Sequence, residues 1–249
     1  MADLTVIKYD RSGAPGTGLQ DWDPISQDIL YSGNPLQRGH TYHDTAGGIF
    51  TSGVWDCTPH ELLPAPYETD EFMIVLEGSI IIEHESGKIE RFRAGDSFIL
   101  PQGTPCIWRQ DEYALKYWAI HDNPGHPLTA DPKLQPIRVD PDAKLPAITG
   151  QDPAVYESEV PDMGWLTLYR DPGGKFQAGI WDCSPMRRVP ATIERSELMH
   201  ILEGSGSITN ADGVVFNFTA GDTFLVPIGM GYQWQNDTYV KKIFCSYTP

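Results

Sequence analysis

The sequence predicts an all-β protein built as a tandem duplication of one small barrel. The stretch GGIFTSGVWDCTP from Gly47 returns as GGKFQAGIWDCSP from Gly173, which lies 126 positions later. At this offset about 30 of the 72 positions from Gly47 to Trp118 are identical without a gap, which indicates a duplication. Both copies consist of short runs rich in Val, Ile, Phe and Tyr between Gly, Pro, Asp and Asn, with no sustained helical period. Many short strands with frequent turns favour a sheet that closes on itself.

The strands and turns of the first copy follow in order along the chain. After VWDC, the segments FMIVLEG and SIIIEHESGKIERF predict strand, turn and strand, with Ser86-Gly87 at the tip of a hairpin. The next stretch, AGDSFILPQG, returns in the second copy as AGDTFLVPIG at the same offset. We expect Asp96 and Asp222 in these two G-D turns to accept hydrogen bonds from local backbone amides.

A segment dense in Pro and Asp separates the two copies. It contains no run of alternating apolar residues and is typical of a connection between domains. We therefore predict an N-terminal barrel with an N-terminal extension over residues 1–122, a linker over residues 123–150, and a C-terminal barrel over residues 151–249.

The chain is strongly acidic, with a formal net charge of −16 and a pI near 4.7. Nucleic acids and anionic membranes are bound through Lys and Arg, so we expect neither as a partner. We expect no export signal before the first barrel, and no apolar run in the sequence reaches the roughly 18 residues of a bilayer span. The four cysteines lack metal-knuckle or redox spacing. We therefore expect a cytoplasmic protein with reduced cysteines.

Two motifs in each copy resemble those of the cupin superfamily. Glu71 is followed seven residues later by Gly78, and G-D-x-F-x-x-P-x-G runs from Gly95 to Gly103; the second copy repeats both motifs. The W-D-C-x-P and VLEG/ILEG segments are similar in particular to the subfamily of RmlC-like cupins that includes ureidoglycine aminohydrolase and the ethanolamine-utilisation Q-type proteins. The resemblance covers roughly residues 46–121 and 172–247. It implies a bicupin, in which each half is a double-stranded β-helix of the jelly-roll type.

The resemblance also implies where a metal ion would bind, and the expected histidines are missing. A metal-binding cupin places His-x-His just before the motif glutamate and one more His shortly after the second motif. In this chain those six positions carry Pro64, Pro66, Cys106, Pro190, Thr192 and Tyr232. Such a loss of ligands sharply weakens the binding of Mn, Fe, Ni or Zn, so we expect no metal and no other cofactor.

An atypical metal site is the alternative, in which upstream histidines join Glu71 and Cys106. The candidates are His40 and His43 in the segment GHTYHD. Residues three apart on a strand point to opposite faces, which disfavours these two histidines as a pair of ligands.

The motif carboxylates, Glu71 and Glu197, are the candidate catalytic residues. If each points into its barrel, its neighbours on the same face are apolar, so we expect its pKa to rise and the group to serve as a general acid or base. The alternative is a structural role, in which Lys116 and Lys242, at matching positions of a later strand, pair with the two carboxylates.

Aromatic and sulfur side chains are expected to form the walls of a pocket around these carboxylates. Such walls suit a small-molecule site, and they suit a hydrophobic core equally well. A thiol in an apolar barrel should have a raised pKa, which favours inert cysteines over nucleophilic ones. The candidate substrate-binding residues are Trp55, Cys57, Cys106, Trp108, His40, Tyr42, Tyr232 and Trp234.

Two functions are compatible with these residues. The first is a metal-independent enzyme, a lyase, isomerase or hydrolase that uses a barrel carboxylate as general acid or base on a small polar metabolite. The second is a non-catalytic bicupin that binds a small molecule, or a scaffold in which one barrel serves to form a homodimer. We expect the N-terminal barrel to be the working one, because His40, Tyr42 and His43 precede it.

Overall fold

The structure is a computed structural model that describes residues 4–45, 47–123 and 125–249. The predicted all-β fold is confirmed. The chain forms two compact units: one comprises Tyr9–Val139, and the other comprises Asp140–Pro249 together with the segment that ends at Lys8. We call them the N-terminal and the C-terminal barrel. The predicted linker, residues 123–150, is thus divided between the two units.

The described strands are short, as the sequence predicts. Up to residue 139 they are β1 (Ile7–Lys8), β2 (Gln20–Asp21), β3 (Leu30–Gly33), β4 (Gln37–Asp44), β5 (Phe50–Cys57), β6 (His60–Leu62), β7 (Ala65–Pro66), β8 (Asp70–Glu77), β9 (Ser79–His84), β10 (Ile89–Arg93), β11 (Ser97–Leu100), β12 (Pro105–Gln110), β13 (Ala114–His121) and β14 (Ile137–Arg138). The remaining strands are β15 (Met163–Arg170), β16 (Phe176–Cys183), β17 (Met186–Arg187), β18 (Ala191–Thr192), β19 (Ser196–Glu203), β20 (Ser205–Asn210), β21 (Val215–Thr219), β22 (Thr223–Val226), β23 (Gly231–Asn236) and β24 (Val240–Tyr247). Two short 3-10 helices lie at Gln27–Ile29 and Pro153–Val155.

Two antiparallel sheets form the N-terminal barrel. Among its described residues, one sheet has the strand order β14-β11-β8-β13-β5-β4-β2, and the other has the order β10-β9-β12-β6-β3, with β7 also paired to β12. The inward-facing side chains alternate with outward-facing ones, as in any strand that covers a core on one face. Met73, Val75, Ile80, Ile82, Phe92 and Phe98 belong to the resulting core.

The C-terminal barrel repeats this plan. Its sheets have the orders β1-β22-β19-β24-β16-β15 and β17-β23-β20-β21, with β18 also paired to β23, as far as the chain is described. Its first edge strand, β1, comes from the beginning of the chain: Ile7 pairs with Leu225 and Lys8 with Phe224. An ion pair of 2.8 Å between Lys8 and Asp222 accompanies this ladder.

The turn between β8 and β9, and the equivalent turn between β19 and β20, each require glycine. Gly78 and Gly204 have φ angles of 68° and 85°, in the left-handed region that side chains disfavour. A Cβ atom at either position would also collide with a backbone carbonyl oxygen, that of Tyr113 or of Tyr239. The two glycines therefore let β8 and β19 turn directly into the next strand while the chain packs closely against them.

No helix among the described residues has the length and apolar character needed to span a bilayer.

The predicted turn bonds of the G-D motifs are confirmed: the backbone N–H of Arg93 donates to Asp96 at 2.8 Å, and that of Thr219 donates to Asp222 at 2.9 Å. These bonds close the turns that lead into β11 and β22, the strands next to those of the motif glutamates.

Candidate functional sites in the two barrels

A buried ion pair lies inside the N-terminal barrel. Glu71 is the second residue of β8 and Lys116 the third residue of the neighbouring strand β13. The Nζ atom of Lys116 donates to Oε1 of Glu71 at 2.7 Å, and both side chains are almost fully buried. The Sδ atom of Met73 lies 3.3 Å from the same Nζ atom. The prediction that Glu71 points into its barrel is confirmed.

Two tryptophan rings enclose the ammonium group of Lys116. Its Nζ atom lies 4.9 Å from the ring centroid of Trp55 and 4.7 Å from that of Trp108. Each indole N–H is itself satisfied, since Trp55 donates to Gln37 at 2.9 Å and Trp108 donates to Gln110 at 3.0 Å. The electron-rich faces of the rings attract the cation, so the rings offset part of its lost hydration.

The C-terminal barrel holds the same arrangement on β19 and β24. Lys242 donates from Nζ to Oε1 of Glu197 at 2.7 Å, and the Sδ atom of Met199 lies 3.2 Å away. The Nζ atom lies 4.8 Å from the ring centroid of Trp181 and 5.1 Å from that of Trp234. The predicted pairing of a lysine with each motif carboxylate is confirmed in both copies.

These ion pairs lie at the place where the resemblance to cupins implies a metal ion. A metal bound by the motif glutamate would have to lie beside its carboxylate, where a lysine ammonium is already 2.7 Å from Oε1. The histidine positions carry proline, threonine, cysteine and tyrosine, and proline has no side-chain donor. Among the described residues no group of three or more His, Cys, Asp or Glu could hold a metal ion. The residues present do not fit a barrel metal.

The second oxygen of each glutamate has a different partner in the two barrels. In the N-terminal barrel the hydroxyl of Tyr67 donates to Oε2 of Glu71. In the C-terminal barrel Arg195 donates from Nε to Oε2 of Glu197 at 2.6 Å, and its Nη2 atom lies 2.6 Å from the same oxygen. Arg195 lies in the bend just before β19, two residues from Glu197. One carboxylate is thus held by a cation and a phenol, the other by two cations.

The expected rise of the carboxyl pKa is wrong for Glu197. Burial acts to raise this pKa, but the charges of Lys242 and Arg195 outweigh burial and lower it below the ordinary value. In the N-terminal barrel burial and the neighbouring charge of Glu71 raise the pKa of Tyr67 well above its ordinary value. Glu197 is therefore an anion at neutral pH, and Tyr67 keeps its proton there.

A cavity of about 330 Å³ opens beside Glu71 in the N-terminal barrel. Tyr67 and Trp108 stack on its wall, with ring centroids 6.3 Å apart and an angle of 13° between the planes. Cys106 also lines this cavity, whereas most of the other lining side chains are apolar. Of the residues predicted to contact a ligand here, the structure therefore brings Cys106 and Trp108 together with Glu71.

A smaller cavity of about 200 Å³ opens beside Glu197 in the C-terminal barrel. Tyr232 and Trp234, both predicted to contact a ligand, line it together with Arg188 and Arg195. Trp181 packs at right angles on Trp234, with ring centroids 5.6 Å apart. This cavity is thus richer in charged groups than its counterpart in the first copy.

The remaining predicted ligand contacts lie away from both cavities. Trp55 and Cys57 are buried in the core of the N-terminal barrel, and Cys57 has no exposed surface. His40 and Tyr42 pack against each other on β4, with ring centroids 4.5 Å apart, and Tyr42 stacks on Tyr9. The structure does not bring His40 or Tyr42 together with Glu71, and their role as ligand contacts stays a prediction.

One cysteine lies beside a histidine: the Sγ atom of Cys57 is 3.7 Å from Nδ1 of His60. Burial raises the pKa of Cys57 to about 12, of Cys106 to about 11 and of Cys183 to about 12. The sequence predicts the direction of these pKa shifts. Thiols with such pKa values carry almost no thiolate at neutral pH, so they are poor nucleophiles. The ring of His43 packs edge-on against Phe50, with centroids 6.0 Å apart.

Sequence reasoning missed several polar residues that the structure places in the cavities. Tyr67, Glu68 and Thr69 line the first cavity, and Arg188 and Arg195 line the second. Tyr67 and Arg195 lie in the irregular segments before β8 and β19, where alternation along a strand does not apply, so spacing gives no signal for them. Arg188 lies further upstream, and no spacing rule connects it to Glu197.

Comparison with known proteins agrees with this architecture. A structure from Pseudomonas syringae pv. tomato str. DC3000, described as a protein of unknown function, has a TM-score of 0.78 at 21% identity and covers 98% of this chain and 100% of its own. A cupin 2 conserved barrel protein from Leptotrichia buccalis has a TM-score of 0.58 at 10% identity, covering 92% of this chain and 98% of its own. The protein Ylba from E. coli has a TM-score of 0.55 at 13% identity, covering 97% and 93%.

These identities show a shared fold and carry no conclusion about activity. No curated protein sequence matches this chain. The model of the EutQ-like cupin domain matches residues 45–118 and again residues 170–244, one match in each barrel. The chain therefore belongs to the EutQ-like cupin family, with two cupin domains in tandem.

Proposed function

We propose that this bicupin is a small-molecule enzyme that works without a barrel metal, and that Glu71 and Tyr67 transfer a proton in its N-terminal barrel. The hydrogen bond from the Tyr67 hydroxyl to Glu71, on the wall of a cavity of about 330 Å³, carries the proposal. A carboxylate and a phenol in contact form a base and an acid that can act on neighbouring atoms of one substrate.

The proposed step is a proton shift between two atoms of the substrate. Oε2 of Glu71 accepts a proton from the substrate, and the hydrogen bond that it accepted from Tyr67 is released. The phenol then donates its proton to a second substrate atom, and Glu71 returns its proton to the phenolate. In this step Lys116 keeps its hydrogen bond to Oε1, which is 2.7 Å long in the structure. Such a shift belongs to isomerases and lyases, and with water as co-substrate to hydrolases.

The cavity indicates which substrates to try first. Glu68 and Glu71 line it together with apolar side chains, and no Lys or Arg is among its described lining residues. A small polar metabolite without negative charge therefore suits it best. We further propose a cytoplasmic location, a compartment that keeps the four buried cysteines reduced.

Non-catalytic binding is the second candidate function, and the C-terminal barrel favours it. Both oxygens of Glu197 are held by cations, so this carboxylate has no acidic partner with which to exchange a proton. On this reading the C-terminal barrel recognises a ligand without changing it.

The test begins with neutral and cationic metabolites screened by thermal shift, followed by assays for turnover of each metabolite that stabilises the protein. We expect Glu71→Gln and Tyr67→Phe to abolish turnover; Tyr67→Phe keeps the ion pair with Lys116, so its loss of activity cannot come from a broken pair. Glu77→Gln, on the exposed end of the same strand, is the matched control and should leave turnover unchanged. Turnover that survives both active-site changes would refute carboxylate catalysis.

The metal content is tested separately, by elemental analysis of protein purified without added metal. We expect less than stoichiometric Mn, Fe, Ni and Zn, because a lysine ammonium lies at each motif glutamate. About one tightly bound metal per chain that is lost on Glu71→Gln or Glu197→Gln would contradict the proposal.

A further inference from the structure

The cavity of the C-terminal barrel carries a surplus of positive charge. Arg188, Arg195 and Lys242 line it, and Glu197 is the one carboxylate among the described lining residues. Lys242 and Arg195 share this carboxylate, at 2.7 Å and 2.6 Å. The chain as a whole has a net charge of −16, so the surplus is local to this cavity. An anion inside the cavity would balance it.

Arg188 is a charged donor with an unsatisfied nitrogen. No ion pair joins it to a carboxylate in the described part of the chain, and its buried Nε atom has no hydrogen-bond partner there. A terminal nitrogen donates to the hydroxyl of Tyr232 at 3.4 Å, which is a long bond to a neutral group. A buried guanidinium donor without a partner is costly, and a carboxylate satisfies it well because two oxygens match its planar fork.

The first barrel lacks this set of polar groups. At the offset of 126 residues the positions of Arg188, Arg195 and Tyr232 correspond to Leu62, Thr69 and Cys106. The lysine, the glutamate and both tryptophans are the same in the two copies. The three substitutions therefore fall together on one cavity of one copy, while the ion pair beside it is unchanged, which is the pattern expected of a specialised ligand site.

The other walls of this cavity are apolar. Trp165, Trp181 and Trp234 line it with three methionines. Its volume of about 200 Å³ equals that of about seven waters, which limits a ligand to a small molecule. Aromatic walls around a few converging polar groups are the usual composition of a small-molecule pocket.

We infer that the C-terminal barrel binds a small monocarboxylic acid with an apolar or aromatic body. Arg188, Arg195 and the hydroxyl of Tyr232 receive the carboxylate, and the tryptophan and methionine walls receive the body. The inference rests on the proposed function only in taking the barrels to be small-molecule sites; it requires no proton transfer at Glu71. The two barrels then select ligands of different charge.

Binding is tested by isothermal titration calorimetry on the full chain at constant ionic strength, with benzoate as the probe. Benzamide, which has the same shape and no charge, and inorganic phosphate, which has charge and no apolar body, are the controls. We expect benzoate to bind at least about tenfold more tightly than either, since it alone offers both charge-assisted hydrogen bonds and an apolar body. Equal binding of benzamide or phosphate, or no binding of benzoate at millimolar concentration, would overturn the inference.

Two neighbouring arginines provide matched variants that locate the site. Arg188→Leu introduces the residue found at this position in the first copy, and should weaken benzoate binding about tenfold or more by loss of charge-assisted hydrogen bonds. Arg187→Leu removes the same charge from an exposed arginine that pairs with Glu157 at 2.7 Å, and should change the affinity less than about twofold. Equal effects of the two changes would show a general charge effect and overturn the inference.

A third variant separates this inference from the proposed function. Should Tyr67→Phe abolish benzoate binding while Arg188→Leu does not, the ligand lies in the N-terminal barrel and the inference is wrong. If benzoate binding depends on Arg188 while Glu71→Gln leaves turnover intact, the inference holds and only the proposed catalysis is wrong. Tyr232→Phe serves as a second probe of the site if Arg188→Leu does not fold.

Discussion

Lys116 and Lys242 each bring a positive charge to the interior of a barrel that buries a carboxylate. Removing both charges from water costs several kcal/mol per ion, and a close, fully bonded pair is needed to offset that cost. The pair distance of 2.7 Å and the two tryptophan faces around each ammonium supply such an offset. An ammonium cannot act as a Lewis acid or change its coordination, so the chemistry left to each site depends on its other side chains.

Removing one member of the N-terminal pair should destabilise the protein more than removing both. Lys116→Met removes the cation that pairs with Glu71 in an apolar barrel, and Glu71→Gln leaves the ammonium unpaired; each change should cost about 3–5 kcal/mol. The double variant should cost less than either single change. Urea unfolding of the four proteins measures the coupling, and additive costs would show that the pair contributes no specific interaction.

The pH dependence of stability provides a second prediction at this scale. The pKa of Glu197 is lower in the folded protein than its ordinary value of 4.5, so its contribution is complete above pH 4.5 and is lost as the pH falls through the folded pKa. Unfolding free energies from pH 7 downwards should therefore fall less steeply in Glu197→Gln than in the wild type. Glu194→Gln, a change of an exposed carboxylate, should follow the wild type. Parallel profiles for all three proteins would contradict the assignment.

At the scale of strands, the two copies have the same irregularity in strand pairing although their sequences are only partly identical. The pairing of β8 with β13 shifts register between Leu115 and Lys116, and the pairing of β19 with β24 shifts between Ile201 and Glu203. Both irregularities lie beside the lysine of the ion pair. A bulge re-aims side chains locally, so each helps to direct its lysine towards the motif glutamate.

The glycine turn after β19 allows a prediction that separates steric collision from backbone strain. Gly204 and Gly213 both have positive φ angles, 85° and 81°, but only at Gly204 would a Cβ atom meet the backbone of another strand. Gly213→Ala should cost about 1–2 kcal/mol from the left-handed conformation alone. Gly204→Ala should cost about 1–3 kcal/mol more, because backbone must move to make room. Equal losses in thermal or urea unfolding would show that the turn is not tightly packed.

Much of this fold could be predicted from the sequence because the repeat is ungapped. The constant offset from Gly47 to Trp118 places equivalent strands, hairpins and the two glutamates together, and alternation then indicates their inward face. The partners of the glutamates were only partly predictable. Lys116 was expected on a later strand, whereas Arg188 reaches the cavity through the fold of the whole barrel, which no local spacing describes.

At the scale of the whole molecule, the C-terminal barrel is built from two separate stretches of the chain. Residues up to Lys8 belong to the C-terminal barrel, and Ile137–Arg138 add strand β14 to the N-terminal barrel. A two-residue strand has no periodic pattern, and its pairing depends on an edge formed far away in sequence. This placement therefore could not be predicted from the repeat.

Deleting the chain up to Lys8 should destabilise the C-terminal barrel selectively. The deletion removes the ladder between β1 and β22, the Lys8–Asp222 ion pair and the packing of Val6 on the core. Hydrogen exchange measured by mass spectrometry should show faster exchange in β22, while β11, the equivalent strand of the N-terminal barrel, should not change. Lys8→Ala alone should have little effect, since its side chain is 56% exposed. Equal changes in β11 and β22 would contradict this assignment.

The edge strand β1 also sets an order of events during protein synthesis. Ile7 is made 218 residues before Leu225, its partner in the ladder. At a translation rate of about 5–20 residues per second, β1 waits about 10–45 s for the edge it completes, while the N-terminal barrel has all of its residues much earlier. Strand β1 is thus made before the N-terminal barrel and takes its place only after β22 has been made. A bulky group fused just before β1 should therefore hinder completion of the C-terminal barrel and spare the N-terminal barrel.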